Sequence, residues 1–369
     1  MGLLPATSLE AEARAEWLAA LARSRLASIQ VHPDHACGNG SLVYARWNQS
    51  HDAITALGVL APKMIELVPV AGLRRVMRLH GYRLAGDRMF GDDDPTAVAE
   101  FATLLADALQ SKRVECILVE DLESPSPLWN ELVQMAGKRQ LRISYPGELQ
   151  THRWIVFPED PQEYWTKFST KSRNTLRRRM THFEHSFTRI DRAEQVAEFL
   201  SKAKAISLKS WQGRRLGVRV QDDEKDRAEF MLLAREGALR CYLLEHDKSP
   251  VAFIFGAQFD HNFVYEETGF DSDYADSSPG EILFCRMLED FVAHNCPRVF
   301  DFGRGDAEYK RRFANQQTTS GPLLLTGNSL KPRIGLAVNR ARMWADQNGR
   351  ALLRKIGLYE RIRRLYRRK

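Results

Sequence analysis

The 369-residue sequence contains no run of eighteen or more uncharged apolar residues, so no membrane-spanning helix is expected. Its first residues, MGLLPATSLEAEARAEW, carry no basic leader and meet glutamate at once, so a secretory signal is not expected either. Gly2 follows Met1, but Ala6 stands where an N-myristoylation signal has Ser or Thr, with Thr7 one place late. Cysteine is scarce. The five residues Cys37, Cys116, Cys241, Cys285 and Cys296 are widely spaced, odd in number and without a C-x-x-C pair, which reads as free thiols in a reducing cytoplasm. His32, His35 and Cys37 cluster in HPDHAC, but a structural zinc site needs four ligands, usually with a second paired cluster. The segment reads as a polar turn after a strand, and no metal is expected.

A basic body is also missing. The formal charge is +7, yet residues 331–369 alone hold thirteen Lys and Arg against Asp346 and Glu360, a net of +11. The other 41 basic and 45 acidic residues leave the remainder at −4. Sequence-specific nucleic-acid binding by the body is therefore not expected. What is present is ordinary globular material. The sequence is 44% hydrophobic and 27% charged, enough for a real core and long enough for two domains.

The first part opens on LEAEARAEWLAALARSRLA, apolar at helical spacing. Strand-like runs follow at SLVYARW, ITALGVL and RRVMRL. DPTAVAEFATLLADALQS predicts a helix with Asp94 as N-cap and Pro95 at its first position. VECILVEDL reads as a buried strand, SPLWNELVQMAGKRQ as a helix, and LRISY and RWIVF as strands. The second part repeats that order. Helices are expected over 161–185, 192–212 and 223–238, then the strands LRCYLLEH, VAFIFGAQF and NFVYEETGF. A helix over 280–295, the strand RVFDFG, a short helix over 308–314 and the strand GPLLLTG complete it. The matching order points to a duplicated α+β unit. The join lies near residues 146–162, punctuated by Pro146, Pro158 and Pro161.

The segment PQEYWTKFSTKSRNTLRRRMTHF, residues 161–183, resembles the opening of the GNAT-like domain in CelD/BcsL-type polysaccharide-associated acetyltransferases, a pattern related to the Fem-type aminoacyltransferases. A second stretch, ETGFDSDYADSSPGEILFCRMLEDFVAHNCPRVFDFGRGDAEYKRRFAN, is similar in having a strand ending G-F-D, a loop ending S-P-G, a helix, a D-F-G-x-G strand end and Y-K-x-x-F. The resemblance covers residues 160–315 and extends to 1–150 in general layout. It implies tandem GNAT-like domains, each a mixed, mostly antiparallel sheet flanked by helices. Residues 1–150 would form a degenerate domain, 151–328 the acyltransferase domain, and 329–369 a basic helical tail. The widespread Q/R-x-x-G-x-G/A acyl-CoA motif is replaced here by Ser277-Ser278-Pro279-Gly280-Glu281.

Individual residues carry the expected chemistry. Ser278, Pro279 and Glu281 read as a capping box. The same helix N-terminus, with Gly280 allowing close approach, suits a pyrophosphate. The resemblance implies that Lys310, beside Tyr309, stabilises the oxyanion of acyl transfer, as a fixed cation is apt to do. Asp301, at a strand end, is placed to orient or deprotonate an amine, or pairs with Arg304 or Arg173. Glu266 and Glu267 are adjacent on a strand, so strict alternation would put one on each face, and both stand as general-base candidates. Lys171 and Arg173 lie on a helix whose apolar stripe is Trp165, Phe168, Leu176, Met180 and Phe183, and with Trp211 they are acceptor-binding candidates. In ALLRKIGLYERIRRLYRRK, Leu352, Ile356, Tyr359, Ile362 and Tyr366 recur at helical spacing among arginines, a pattern that suits anionic lipid.

The expectation is a cytoplasmic acyltransferase, peripheral at the inner membrane face. It would move acetyl from acetyl-CoA to an amine or hydroxyl of a sugar or cell-envelope precursor by direct attack. The alternatives are Fem-type aminoacyl transfer from tRNA to a cell-wall precursor, and a non-catalytic GNAT-derived binding module.

Overall fold

The computed structural model describes residues 2–23, 28–67, 77–111, 114–210, 213, 220–338, 344 and 348. The first half begins with a short strand β1 (Leu4–Pro5), then α1 (Ala6–Arg23) and α2 (Pro33–Gly38). A meander follows: β2 (Leu42–Trp47), β3 (Ile54–Leu67) and β4 (Met77–Leu84), each antiparallel to the next. Helix α3 (Pro95–Gln110) crosses over to β5 (Cys116–Glu123), which pairs parallel with β4 over Gly81–Arg83. Then come α4 (Pro127–Lys138), β6 (Arg142–Ser144) and β7 (Gln150–Val156).

The second half repeats this plan. Helix α5 (Thr170–His182), β8 (Ser186–Ile190), α6 (Val196–Lys209) and α7 (Glu224–Arg235) lead into the meander β9 (Leu239–His246), β10 (Ser249–Phe259) and β11 (Asn262–Phe270). Helix α8 (Pro279–Ala293) crosses to β12 (Val299–Arg304), which runs parallel to β11. Helix α9 (Glu308–Phe313) and β13 (Gln316–Thr326) complete it. Both halves thus have an antiparallel meander, a crossover helix and one parallel pair.

The halves share one sheet, ordered β1-β2-β3-β4-β5-β13-β7-β12-β11-β10-β9-β8, with β6 also on β13. Strand β13, last in the chain, pairs with β5 and β6 of the first half. Strand β7, from before the second half, pairs with β12. Each half therefore completes the other's sheet edge, which leaves no unpaired edge at the join to template association.

Local sequence explains the main elements. The Asp94 carboxylate accepts from the Thr96 N–H at 2.8 Å and Pro95 occupies the first turn, as expected of an N-cap. Val98, Phe101, Leu105 and Leu109 form the buried face of α3 at helical spacing. They share the first core with Ile117, Val119, Leu323 and Leu325, so β13 is packed into it. A second core under α8 joins Phe263, Tyr265, Phe284, Phe300, Phe302 and Phe313. A third, under α6 and α7, holds Phe199, Phe230 and Phe253.

Three readings are corrected here. Residues 161–185 are two elements, not one helix. Asp160 caps a 3-10 turn over Pro161–Lys167, and Ser169 then caps α5 by accepting from the Ser172 N–H. Trp165 and Phe168 consequently do not share a helical stripe with Leu176; they reach the second core from the separate turn. The helix expected over 192–212 begins as a 3-10 turn at Ala193–Gln195 and runs as α6 from Val196. Strand β8 was unforeseen, because the apolar residues of SFTRI, Phe187 and Ile190, are three apart rather than alternating, and it lies at the sheet's edge against β9. Of the tail, residues 330–338 are helical; Leu336 is buried against Leu79, Leu118 and Leu324, and Lys331 pairs with Glu115 at 2.7 Å. The apolar stripe from Leu352 to Tyr366 lies outside the described residues. Among those described, no helix is long and apolar enough to cross a membrane.

Candidate active site

Strands β11 and β12 pair at Asn262 with Val299, Phe263 with Phe300 and Val264 with Asp301, and their pairing ends there. Beyond it the two strands diverge, opening a wedge in the middle of the second half. On its other side β11 carries a bulge: Phe255 opposes Glu267 while the neighbouring Gly256 opposes Tyr265, leaving Glu266 as the extra residue. A side chain at 256 would bring its Cβ within 2.3 Å of the Val264 carbonyl, so glycine is required for this close approach. The bulge corrects the expectation of strict alternation. An inserted residue shifts the two-residue period, so Glu266 and Glu267 are not forced onto opposite faces.

Glu266 faces a cavity of about 190 Å³ between the halves, lined by Gln30 of the first and by Glu229, Phe230 and Phe255 of the second. Its carboxylate is open to water in that concavity yet surrounded by protein. Loss of hydration, then the negative charges of Glu229, Asp301 and Glu267, raise its pKa to about 7. Arg83 of β4 opposes that shift and is itself held by Glu120 at 2.8 Å and by Gln30.

Asp301 is in a different electrostatic state. Its neighbours Phe300 and Phe302 point into the second core, so the carboxylate faces the other side. Its Oδ1 lies 2.6 Å from His152 Nε2 and accepts from the Gly303 N–H at 2.7 Å. His152 Nδ1 lies 3.0 Å from Asp121 Oδ2, and Asp121 also accepts from the Ser320 hydroxyl. Burial alone would lower the imidazole's pKa. The two carboxylates outweigh it and raise it to about 9. Both aspartates stay below their ordinary value: burial acts to raise them, and the bonds to His152 prevail. The partner of Asp301 is therefore His152, not Arg304 or Arg173; Arg304 donates instead to the Glu120 carbonyl at 2.7 Å.

Lys310 is buried, and burial lowers its pKa. Its ammonium donates to the carbonyls of Phe302 at 2.8 Å and Arg304 at 2.9 Å, tying down the end of β12, with a longer contact of 3.5 Å to Gly303. Two hydrogens are thus firmly engaged and the third weakly. Tyr309 packs on Phe302, Phe284 and Tyr265. Burial first, and Glu267 after it, raise its pKa, while a hydrogen bond with Tyr265 acts the other way.

The start of α8 differs from the capping box expected. Ser278 adopts a left-handed conformation, φ 54°, and its side chain makes no capping bond among the described residues. Glu281 turns away to pair with Arg179 of α5 and Arg312 of α9. These ion pairs take the place of a reciprocal cap, and the N–H groups of Glu281 and Ile282 both donate to the Ser278 carbonyl, at 3.0 and 3.2 Å. Pro279 fills the first helical position, and Gly280 lies against Phe270, the last residue of β11.

Glu266, Glu267, Asp301, Tyr309 and Lys310 thus gather around the β11–β12 wedge, and Ser278–Gly280 open the helix that follows it. Lys171 is exposed and Arg173 half-buried on α5; neither joins that cluster through a described contact. Trp211 lies outside the described residues. Sequence reasoning missed His152, Asp121, Arg83, Gln30 and Glu229. Their separations in the chain, such as 149 residues from His152 to Asp301, leave no spacing signal to find.

The acetyltransferase (GNAT) domain family matches residues 170–311, the segment that holds the wedge and its cluster. In overall fold the chain is similar to FemX, with a TM-score of 0.57 at 11% identity over 88% of this chain and 98% of that one. It is also similar to the C-terminal DUF2156 domain of a protein from Agrobacterium fabrum carrying the name lysylphosphatidylglycerol synthetase, with a TM-score of 0.50 at 13% identity over 90% and 96% of the two chains. A tandem GNAT protein from the clavulanic acid biosynthesis pathway aligns at 12% identity over 89% and 98%, with a TM-score of 0.46. No curated protein matches the sequence. The family match thus covers residues 170–311, and the likeness to FemX is one of fold. The arrangement of two similar halves on one sheet is the fold that the chain shares with FemX.

Proposed function

We propose that the protein transfers an acyl group, acetyl from acetyl-CoA, to an amine of a sugar or cell-envelope precursor by direct attack in a ternary complex. The observation that carries this reading is Glu266: a carboxylate with a pKa of about 7, at a bulge beside the opened wedge, facing a cavity between the halves. A base poised near neutrality takes the proton from an attacking ammonium most effectively. The freed nitrogen then attacks the thioester carbonyl carbon and the oxyanion forms; as the C–S bond breaks, the extra proton on that nitrogen passes to the departing thiolate, leaving the amide and the CoA thiol. In this account Lys310 offers its weakly engaged third hydrogen to that oxyanion. Asp301, kept ionised by His152, is too weak a base for the transfer and fixes the strand end instead. The start of α8, where Gly280 permits close approach, is the candidate contact for the donor's pyrophosphate together with Ser278 and Pro279, and Lys171, Arg173 and Trp211 remain acceptor-binding candidates.

The donor is tested by calorimetry with acetyl-CoA and free CoA, and the reaction by transfer of radiolabelled acetyl to amino sugars. Absence of heat at millimolar ligand removes CoA from the account. It would favour the second reading, aminoacyl transfer from tRNA, which the fold likeness to FemX supports. The net charge of +11 over residues 331–369 supports peripheral contact of the tail with an anionic membrane.

A further inference from the structure

A second cavity, of about 320 Å³, lies between the end of α1 and the start of the β9–β10 hairpin, on the seam between the halves. That volume is at the small end of ligand pockets. Leu18 and Leu21 form one wall, and four polar side chains converge from the others: His32, Glu236, Arg240 and Gln258.

Three of these four are almost wholly buried, and two of them, His32 and Gln258, keep a side-chain atom without a hydrogen-bond partner. His32 has no exposed surface. Its Nδ1 accepts from the Asp34 N–H at 3.3 Å, and burial, the largest influence on it, lowers its pKa. The neutral ring therefore carries its proton on Nε2, and that atom has no hydrogen-bond partner; Glu236 Oε2 stands 3.5 Å away. Gln258 is 3% exposed. Its amide nitrogen donates to the carbonyls of Asp260 and Asn295, which fixes the amide's orientation and leaves Oε1 without a partner. Arg240 is 8% exposed. Its Nη1 donates to the carbonyls of Gly237 and Leu239, and no ion pair to it occurs among the described residues.

Buried polar groups in native proteins are nearly always paired, and each orphan calls for a partner. Here the two orphans, His32 Nε2 and Gln258 Oε1, and the two charged groups beside them are complementary in sign. The Arg240 guanidinium and the His32 N–H are donors, whereas Gln258 Oε1 and the Glu236 carboxylate are acceptors. A dianion such as a phosphate monoester is disfavoured by Glu236 and by Asp260, which also lines the cavity. A lone cation is disfavoured by Arg240.

We propose that this cavity binds a free α-amino acid. The carboxylate would pair with Arg240 and His32, the ammonium with Glu236 and Gln258 Oε1, and the side chain would lie along Leu18 and Leu21. The site shares two pieces of chain with the Glu266 cavity. His32 lies two residues after Gln30, and Glu236 directly follows α7, which carries Glu229.

The test is calorimetry on the full chain with glycine, alanine, lysine and glutamate, each against its N-acetyl form. At least one free amino acid is expected to bind, and its N-acetyl form about tenfold or more weaker, because acetylation removes the ammonium. Two variants outside the buried set locate the site: Glu236→Gln, which weakens ammonium capture, and Leu18→Trp, which fills the cavity. Both are expected to lower affinity while leaving the thermal transition and acetyl-CoA binding unchanged. If none of the four amino acids binds at millimolar concentration, or if binding survives Leu18→Trp intact, the proposal is overturned.

Discussion

His152 Nε2 and Asp301 Oδ1 are 2.6 Å apart, and this bond links β7, the strand joining the halves, to the end of β12 at the wedge. Asp121 on β5 holds the other ring nitrogen, so one imidazole spans three strands. With its pKa raised from 6.5 to about 9, the ring stabilises the fold fully below pH 6.5, and that contribution is lost as pH rises through 9. The two aspartates have lowered values, so their contribution is present above their ordinary value of 3.8 and is lost as pH falls through the lowered ones. Urea midpoints measured against pH should therefore decline on both flanks. His152→Gln should flatten the alkaline flank and cost about 3 kcal/mol near neutrality, since two buried carboxylates lose their cation. An unchanged alkaline flank would mean that the ring is neutral in the native state.

Glu266 has to be ionised to accept a proton, so the acyl-transfer rate should rise with pH and level off above about 7. Glu266→Gln should lower kcat by about 10²–10⁴ and remove that limb from the profile. A profile that keeps its limb in the variant assigns the base elsewhere, with Glu267 the next residue to test.

Lys310→Met tests the ammonium. Stability should fall by about 1–3 kcal/mol, because carbonyls at the end of β12 lose their donor. At a temperature where the variant is fully folded, kcat should drop a further 10²–10³, roughly the effect of one oxyanion donor. A folded variant with normal kcat would leave the lysine as a strand-end tie and nothing more.

Ser278 stands in the left-handed region without capping its helix. Ser278→Ala should therefore change the melting temperature little, in contrast to the roughly 0.5–2 kcal/mol lost from a working cap. Ser278→Gly should stabilise by up to about 1 kcal/mol, because glycine adopts that conformation without strain. A large loss in either variant, read by thermal denaturation, would show that the hydroxyl caps in solution.

The start of the tail packs on the body. Because Leu336 and Lys331 are docked on the body, deletion belongs after Asn348. The deleted residues carry nine basic side chains and Glu360. Removal should abolish sedimentation with phosphatidylglycerol vesicles and spare acyl transfer to a soluble acceptor. Binding by the intact chain should weaken as salt rises. An intact protein that ignores such vesicles at low salt refutes the contact.

Much of the architecture was legible in the sequence because it depends on local chemistry. Asp94-Pro95 starts α3 whatever surrounds it, and the short apolar and aromatic runs in LRCYLLEH and NFVYEETGF, bounded by turn residues, call for strands. The order of those elements carries the duplication, and D-F-G-x-G before Y-K-x-x-F carries the resemblance. Tertiary structure alone decided what depends on register and proximity. The bulge at Glu266 exists because Gly256 lets two backbones approach, and it cancels an alternation that the strand sequence appeared to require. Glu281 could have closed a cap on Ser278, but Arg179 and Arg312 reach it first from other helices. His152 shows no pattern along the chain, since Asp121 and Asp301 come to it only when β13 and β7 interleave the halves. A group's pKa and partner are set by what the fold brings within a few ångströms, and that distance is not written in sequence separation.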